Sequence, residues 1–328
     1  MSIPKNGTLL DDVRQIMRLN HYSINTERAY SDWIRQYMQF HEMIDRTEML
    51  ITPETKVEEF LHYLAVQRKV AESTQNQAMN ALVFLYKRVL DQPLEKTADA
   101  IRSTKKRKLP VVLTQDEVKH IIIFLEGVPQ LLVKLLYGSG LRITEAVRLR
   151  VQDIDFDYKQ ITVRSANGNK DRVITFSDSL MPFLKDHLQR VKLMHEKDLL
   201  DGLGMVYLPN ALDKKYPNAA KEWGWQYVFP ARSVSSDSRS GEVRRHHIDP
   251  SVINKAIKGA VKKLGLVKSV SAHTFRHSFA THLLQRGTDI RMIQSLLGHK
   301  SLEATMIYKH VLNQGEQSVV SPLDDLGL

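Results

Sequence analysis

Residues 272–310 read AHTFRHSFATHLLQRGTDIRMIQSLLGHKSLEATMIYKH, and the reading of the whole chain starts there. The spacing predicts three short helices. The first covers about His273 to Gln285 and stops at Gly287. At about 100° per residue, His273, Arg276, His277 and Ala280 fall on one face, and Phe275, Phe279 and Leu283 on another. The polar groups are expected to look outward together while the phenylalanines hold the helix to a core. A second helix starts at Thr288 or Asp289, repeats Ile290, Ile293, Leu296 and Leu297, and ends at Gly298, a glycine stop followed at once by His299. Ser301 is the candidate N-cap of a third, with Glu303 in its first turn and Tyr308 near its far end.

An arginine, two histidines and a tyrosine are what phosphodiester transfer without a metal needs. A tyrosine hydroxyl has a pKa of about 10, so it needs a base or a positive field to act as a nucleophile. The phosphorane transition state gains charge on its non-bridging oxygens. Guanidinium forks stabilise that charge bidentately and imidazoles donate to it. A second arginine is therefore expected, and Arg142 supplies it: Gly138-Ser139-Gly140 leads into Leu141-Arg142-Ile143-Thr144-Glu145 at the start of a helix. Glu145 sits one turn from Arg142, placed to hold its guanidinium. An ordinary surface ion pair is the plain alternative.

His273-x-x-Arg276, Leu297-Gly298-His299, Tyr308 nine residues later and Gly140-Leu141-Arg142-x-x-Glu145 together resemble the boxes of the tyrosine recombinases (the phage integrase family). The resemblance implies a mostly α fold with a small antiparallel sheet (α+β). It implies a four-helix, SAM-like core-binding domain followed by a catalytic domain. It makes Tyr308 the nucleophile that forms a 3′-phosphotyrosyl link. Arg142, Arg276 and His299 stabilise the phosphorane, His273 is the general base, and neither metal nor cofactor is required. The three histidines His273, His277 and His282 offer a metal site as an alternative, but no cysteine or well-placed carboxylate completes one, and Arg276 between them repels a cation.

Composition agrees with such a partner. The 328 residues suffice for two domains, and a formal net charge of +10 with a pI of about 9.5 favours a polyanion. No cysteine is present, which excludes disulfides, thiolate metal sites and a cysteine nucleophile and suits the cytoplasm. The opening MSIPKNGTLLDDVRQ has no long apolar run, so no signal peptide is expected. The most apolar stretch, His120 to Tyr137, is broken by Glu126, Pro129 and Lys134 and is not expected to span a membrane.

In chain order, residues 1–103 are expected to form the helical domain. Leu9 to Met17 make one helix. The others follow Ser23 or Asn25, Thr52-Pro53 and Ser73, with Lys69, Lys87 and Arg88 facing solvent. In the resembling family this domain closes over DNA opposite the catalytic domain. Residues 104–111 are the candidate linker; Lys105, Lys106, Arg107 and Lys108 are expected to touch phosphate. The second domain, 112–328, opens on the capping box Thr114–Glu117, with Leu113 and Val118 as a hydrophobic staple.

Ile161–Arg164 and Arg172–Phe176 alternate like strands around an Asn167-Gly168 turn, and Asp153–Phe156 is a candidate third strand. Tyrosine recombinases usually carry a Gly-Lys-Gly turn here, whose lysine protonates the leaving 5′ oxygen. Aligned on Asn169-Lys170-Asp171-Arg172, this chain has Ala166 and Asn167 at the glycine and lysine positions. Asparagine cannot act as a general acid. Lys170 either takes that role or is the second, auxiliary lysine of the family pattern.

A long helix from Ser179 to about Asp198 carries Leu180, Phe183, Leu184, Leu188 and Val191. An insertion follows at about 195–250, holding two of the three tryptophans. Trp225, Tyr227 and Phe229 alternate like a satellite core. Trp223, His246 and His247 are equally suited to stacking on unpaired bases. The inserted NAAKEWGWQYVFP, the RSG-x-x-RRHH-x-D run and the ending from Tyr308 to Asp324 resemble the integron integrases. Members of that family insert and excise gene cassettes, reading folded single-stranded sites through extrahelical bases. The resemblance implies base or phosphate contact for Trp223, Pro230, Arg244, Arg245, His246 and His247. It also implies DNA as partner, as folded cassette sites and a duplex integron site, with a monomer when free and a homotetramer in the synapse. The tail, 311–328, then docks on a neighbouring protomer. Two readings compete: a duplex-specific phage or dimer-resolving recombinase, and a DNA-binding remnant impaired at Asn167.

Overall fold

The computed structural model describes residues 8–94, 110–164, 171–208, 212–237 and 240–308. The chain folds as two compact units, Met1–Arg107 and Lys108–Leu328. The basic run Lys105–Lys108, Asn167, Lys170 and the tail from 311 lie outside the described residues.

Among the described residues, five α-helices build the first unit: α1 Leu9–Leu19, α2 Ile24–Phe40, α3 Arg46–Leu50, α4 Pro53–His62 and α5 Glu72–Phe84. The sequence predicts four. The extra one, α3, is a single turn that Asp45 caps by accepting from the Thr47 and Glu48 N–H groups. Its apolar signal is one residue, the buried Met49, too little for a periodicity. Both α4 and α5 continue into a wider π turn, Tyr63–Gln67 and Leu85–Val89. The core gathers Val13, Ile34, Val57, Phe60, Leu64 and Leu82 around Tyr37 and Tyr86. The two tyrosine hydroxyls share a hydrogen bond of 2.7 Å, and Tyr86 donates on to the Met49 carbonyl, so neither tyrosine hydroxyl is left unmatched.

The second unit opens with α6, Gln115–Phe124, held by the expected capping box: the Thr114 N–H donates to Glu117 and the Glu117 N–H to Thr114 Oγ1. Helix α7 (Gly127–Ser139) stops at Gly140, and α8 (Ile143–Val147) starts directly after Arg142. Strands β1 (Ile154–Asp155), β2 (Gln160–Val163) and β3 (Arg172–Thr175) form an antiparallel sheet in that order, with Ile161 facing Ile174 and Val163 facing Arg172. Helix α9 (Met181–Leu200) sends Leu184, Leu188 and Val191 inward, whereas Phe183 lies outside with the Lys134 ammonium 4.0 Å from its ring centre.

The insertion holds a short helix, α10 (Leu212–Lys215), two 3₁₀ turns, and a small ribbon of β4 (Ser235–Ser236) on β5 (Val243–Arg244). Helices α11 (Pro250–Lys263), α12 (Ala272–Gln285) and α13 (Ile290–Leu297) complete the unit, with a last helical stretch at 303–308. Among the described residues no helix is long and apolar enough to cross a membrane.

Helix α12 is central. Phe275 enters the main core, and Ala280 packs with Ile293, Leu297 and Tyr308 in a smaller one. The expected division into a polar outward face and an apolar inward face fails for Arg276, which is 3% exposed. The helix is covered on both sides, so its polar residues must be satisfied within the protein.

Candidate active site

Two glycine stops shape the site. Gly140 has a φ of +66°, and a Cβ there would lie 2.5 Å from the Phe279 ring, so only glycine lets α7 end against α12. Gly298 has a φ of +61° and ends α13 beneath the Arg172 guanidinium.

The last carbonyls of a helix lack intrahelical donors and carry the negative end of its dipole. Three arginines from distant parts of the chain meet them on α13. Arg172 Nε donates to the Leu296 carbonyl at 3.0 Å. Arg276 Nη2 donates to the Leu297 carbonyl at 2.7 Å, and Arg142 Nη1 reaches the same oxygen at 3.4 Å. Arg276 Nη1 also donates to the Gly140 carbonyl at 2.7 Å. Arg276 thus ties the end of α7 to the end of α13.

Glu145 holds the cluster from the other side. Its carboxylate accepts the Arg172 fork at 3.0 and 2.7 Å, Arg142 Nη1 at 3.0 Å and the Arg142 N–H at 2.8 Å. Burial alone would raise its pKa. The Arg172 bonds, the Arg142 N–H and both positive charges outweigh that and hold it below the ordinary glutamate range. The expected Arg142–Glu145 pair is therefore part of a half-buried network and not an ordinary surface ion pair. Burial, with Arg142 beside it, lowers Arg276 to about 10, so it stays cationic at neutral pH.

The third group is the pair of rings against Tyr308. His299 Nε2 lies 3.1 Å from Arg276 Nη2, and His299 Nδ1 lies 2.9 Å from Thr305 Oγ1. Tyr308 stacks on His299, planes 15° apart, and its hydroxyl is 3.1 Å from His277 Nδ1. Burial pushes both imidazoles down to about 4, helped by Arg276 and Arg142 for His299 and by His273 and Arg276 for His277. Both rings are neutral near pH 7. Burial raises Tyr308, while Arg276 and Arg142 pull it back. His273 is exposed at the start of α12, and desolvation with the nearby Arg276 and Arg142 lowers its pKa. Its ring has no hydrogen-bond partner among the described residues. A neutral ring nitrogen directly on the phenol can accept its hydrogen bond, and two guanidiniums beside a tyrosine form an oxyanion-binding arrangement.

The structure thus brings Arg142, Glu145, Arg276, His299 and Tyr308 together, with His273 at the rim. Sequence reasoning missed three contributors. Arg172 served only to align the hairpin; its place opposite the buried Val163 is the signal that it points inward. His277 was placed on the right face of α12 without its partner. Thr305 sits three residues before Tyr308, the spacing that puts both on one side of a helix. The three histidines considered for a metal diverge: His277 meets Tyr308, and His282 Nδ1 is 2.8 Å from the Tyr137 hydroxyl.

In the insertion the expected contact residues have structural partners. Arg245 forks onto Asp198 at 2.5 and 2.7 Å and donates to the Ala231 and Arg232 carbonyls, so its guanidinium is engaged within the fold. Arg244 pairs with Glu242. Trp223 packs against the main core and beside His195. His247 meets the Tyr227 ring edge-on, its Nδ1 2.9 Å from the Ile248 carbonyl. Pro230 bridges to His247, and the His246 carbonyl accepts from the Ala231 N–H. Tyr227 and Trp225 belong to the satellite core with Val206, Leu208, Ala219 and Ala220, whereas Phe229 lies in the main core.

Two guanidiniums, a neutral imidazole and a tyrosine gathered in this way suit phosphoryl transfer through a covalent tyrosine. Comparison with known proteins gives the family. Residues 111–314 match the phage integrase family, and residues 9–96 match the phage integrase N-terminal SAM-like domain. An integrase/recombinase of Escherichia coli and one of Pseudomonas aeruginosa are each 46% identical over 318 residues, 97% of this chain and 94% of theirs. The tyrosine recombinase XerA of Pyrococcus horikoshii is 30% identical over 310 residues, 93% of this chain and 90% of that one. The fold is like that of the XerH site-specific recombinase bound to its palindromic difH substrate (TM-score 0.60, 18% identity, 92% of this chain and 82% of that one). It is also like a lambda integrase dimer bound to a COC′ core site (TM-score 0.58, 17% identity, 92% and 94% covered). The chain belongs to the phage integrase family of tyrosine recombinases, enzymes of DNA strand exchange.

Proposed function

We propose that this tyrosine recombinase is of the integron-integrase type, integrating and excising gene cassettes at folded single-stranded sites. The observation that carries the chemistry is Tyr308, its hydroxyl 3.1 Å from a neutral His277 and its ring beside Arg276 and His299. Tyr308 Oη attacks the phosphodiester, forming a 3′-phosphotyrosyl bond and expelling the 5′ oxygen. Arg142, Arg276 and His299 hold the phosphorane charge. His273, at the rim, is the general base, and His277 holds the Tyr308 hydroxyl by a hydrogen bond. The bond energy stays in the phosphotyrosine, so the partner 5′ hydroxyl reseals the strand without ATP. Lys170 protonates the leaving oxygen in place of a lysine at Asn167.

The substrate class rests on the insertion, which has its own small core and so is a built element and not a slack loop. Trp223, His246 and His247 are the base-contact candidates, with Pro230 beside them; Arg244 and Arg245 shape the element. Lys105, Lys106, Arg107 and Lys108 contact phosphate between the core-binding domain, 1–103, and the catalytic domain, 112–328. The enzyme acts in the cytoplasm, as a monomer that assembles into a tetramer on DNA through the 311–328 tail.

Covalent trapping tests this. The protein is incubated without divalent metal with a labelled folded cassette strand and with its duplex counterpart, beside Tyr308→Phe and Asn167→Lys. The expected result is an adduct on the folded strand that Tyr308→Phe abolishes. An adduct on duplex alone points to a duplex-specific phage-type or dimer-resolving enzyme. An adduct in Asn167→Lys but not in the parent protein marks a lapsed enzyme.

A further inference from the structure

We infer that Arg172 is a positioning residue: by occupying the forked face of the Glu145 carboxylate it stops Arg142 from folding back onto that carboxylate, and so keeps one edge of the Arg142 guanidinium for the scissile phosphate. A carboxylate has two oxygens and about four lone-pair sites. At Glu145 all of them are taken. Oε1 accepts Arg142 Nη1 and Arg172 Nη1, each at 3.0 Å, and Oε2 accepts the Arg142 N–H at 2.8 Å and Arg172 Nη2 at 2.7 Å. Arg276 Nη1 stands further off, 3.8 Å from Oε2. The bidentate seat, the strongest that a carboxylate offers a guanidinium, thus belongs to Arg172. Arg142 keeps a single side-chain bond to Glu145, made through Nη1, and a longer one from the same nitrogen to the Leu297 carbonyl. Among the described residues its Nε and Nη2 have no hydrogen-bond partner. Its side chain is 36% exposed, where those of Arg172 and Glu145 are 16% and 17%.

Arg172 is itself fixed in place. Its Nε donates to the Leu296 carbonyl at the end of α13 and its two Nη groups to Glu145, so three nitrogens pin one rigid plane. It is paired with Val163 at the start of β3 and stands over Gly298, where a Cβ would come within 3.0–3.1 Å of its side chain. Removing it changes the balance in a definite direction. Arg142 and Glu145 are three residues apart at the start of α8, close enough for a bidentate pair of their own. That pair would commit the Arg142 edge to the carboxylate. Three guanidiniums against one carboxylate leave two positive charges around the site, and without Arg172 only one remains. Burial raises the Glu145 carboxyl, and the Arg172 bonds come first among the influences that pull it down, which fits Arg172 as its main partner.

The inference rests on the proposed role of Arg142 at the phosphate, and its test separates the two. The full chain is labelled with ¹⁵N-arginine, and the Arg142 Nε–H signal is assigned by its loss in Arg142→Lys. In wild type this N–H is expected to exchange freely with water. In Arg172→Gln it is expected to move downfield and exchange more slowly, as Glu145 accepts it. Adduct formation at a phosphodiester should fall about 10- to 100-fold. On a methylphosphonate linkage, which carries no charge for Arg142 to neutralise, the deficit should shrink to within about threefold. A disturbed fold would depress both substrates alike. A wild-type Nε–H already downfield and protected overturns the inference, and that measurement needs no variant. So does an Arg172→Gln signal that stays in place or moves toward free arginine, or a deficit equal on both linkages. Arg172→Lys, which keeps the charge without the fork, gives the same readings if the glutamine variant does not fold. If wild type forms no adduct on any DNA, the phosphate role of Arg142 falls, while the arginine spectra alone decide the positioning.

Discussion

The arginine cluster around α13 and the insertion at 195–250 use the same residue types to opposite ends. In the cluster, Arg142, Arg172 and Arg276 are gathered by carbonyls and one carboxylate, so like charges are held side by side around a space an anion can fill. Around the insertion, Arg150, which reaches in from the segment before β1, and Arg245 each have acceptors of their own. Concentrated positive charge with shared acceptors builds a binding site; dispersed positive charge with private acceptors builds a scaffold. The contrast is energetic. Like charges at close range repel, and only a network that over-determines their places keeps them together.

The cluster should therefore be far more sensitive to geometry than to charge. Arg276→Lys keeps the charge but loses the fork that reaches the Gly140 and Leu297 carbonyls and His299 at once. Adduct formation is expected to fall about 10²- to 10³-fold, the range for removing a preorganised oxyanion donor. Circular dichroism should stay close to wild type. A variant within about threefold of wild type would mean that charge alone does the work.

The insertion should behave the other way. Arg150 is its anchor: buried, it donates to the Trp225 and Tyr207 carbonyls and the Tyr227 hydroxyl, with its guanidinium 3.8 Å from the Tyr227 ring centre. Beside it, the Val228 N–H donates to the Leu149 carbonyl and the Val151 N–H to the Gln226 carbonyl. Arg150→Met leaves two carbonyls without donors, at a cost of about 1–3 kcal/mol each. Limited proteolysis within 205–237 is expected to accelerate at least about tenfold. Adducts on a folded strand should drop while those on duplex DNA persist. Equal loss on both substrates would tie the insertion to the chemistry and erase the distinction between the two regions.

The two regions also differed in how much could be read from sequence. The cluster's main members were legible because helical spacing and glycine stops leave few arrangements: Gly298 ends its helix where expected, Arg142 stands at the start of one, and β2 and β3 pair as their alternation predicts. Arg172 was not, because an arginine at the start of a strand reads as solvated until its partner is known, and that partner, Glu145, is 27 residues away. Helix α12 misled because periodicity ranks faces by polarity, while burial depends on what is packed against them; α13 and 303–308 cover the polar face. In the insertion, aromatic and basic residues carried no periodicity to separate contact from scaffold. Arg245 reads alike in either role until Asp198, 47 residues before it, is seen beneath it.

The smallest expected effect concerns acid, and it sharpens the contrast from the side of stability. His277 and His299 are pushed down to about 4, below the ordinary histidine value of about 6.5. Between those values the unfolded chain binds protons that the native chain does not, so each ring withdraws stability as the pH falls from about 6.5 toward 4. Glu145 follows at lower pH. Its depressed carboxyl stabilises the fold above the ordinary glutamate range, and that contribution is lost as the pH falls through its folded value. The melting temperature of the catalytic unit should thus decline from pH 6.5 to 4.5. His277→Gln, which removes one of these rings, should flatten the decline by up to one proton's worth of slope. The comparison is between slopes and not midpoints, because the substitution also removes the Tyr308 hydrogen bond and lowers stability at every pH. An unchanged slope would mean that His277 is not held neutral, and the case for it as the acceptor of the Tyr308 hydrogen bond would weaken with it.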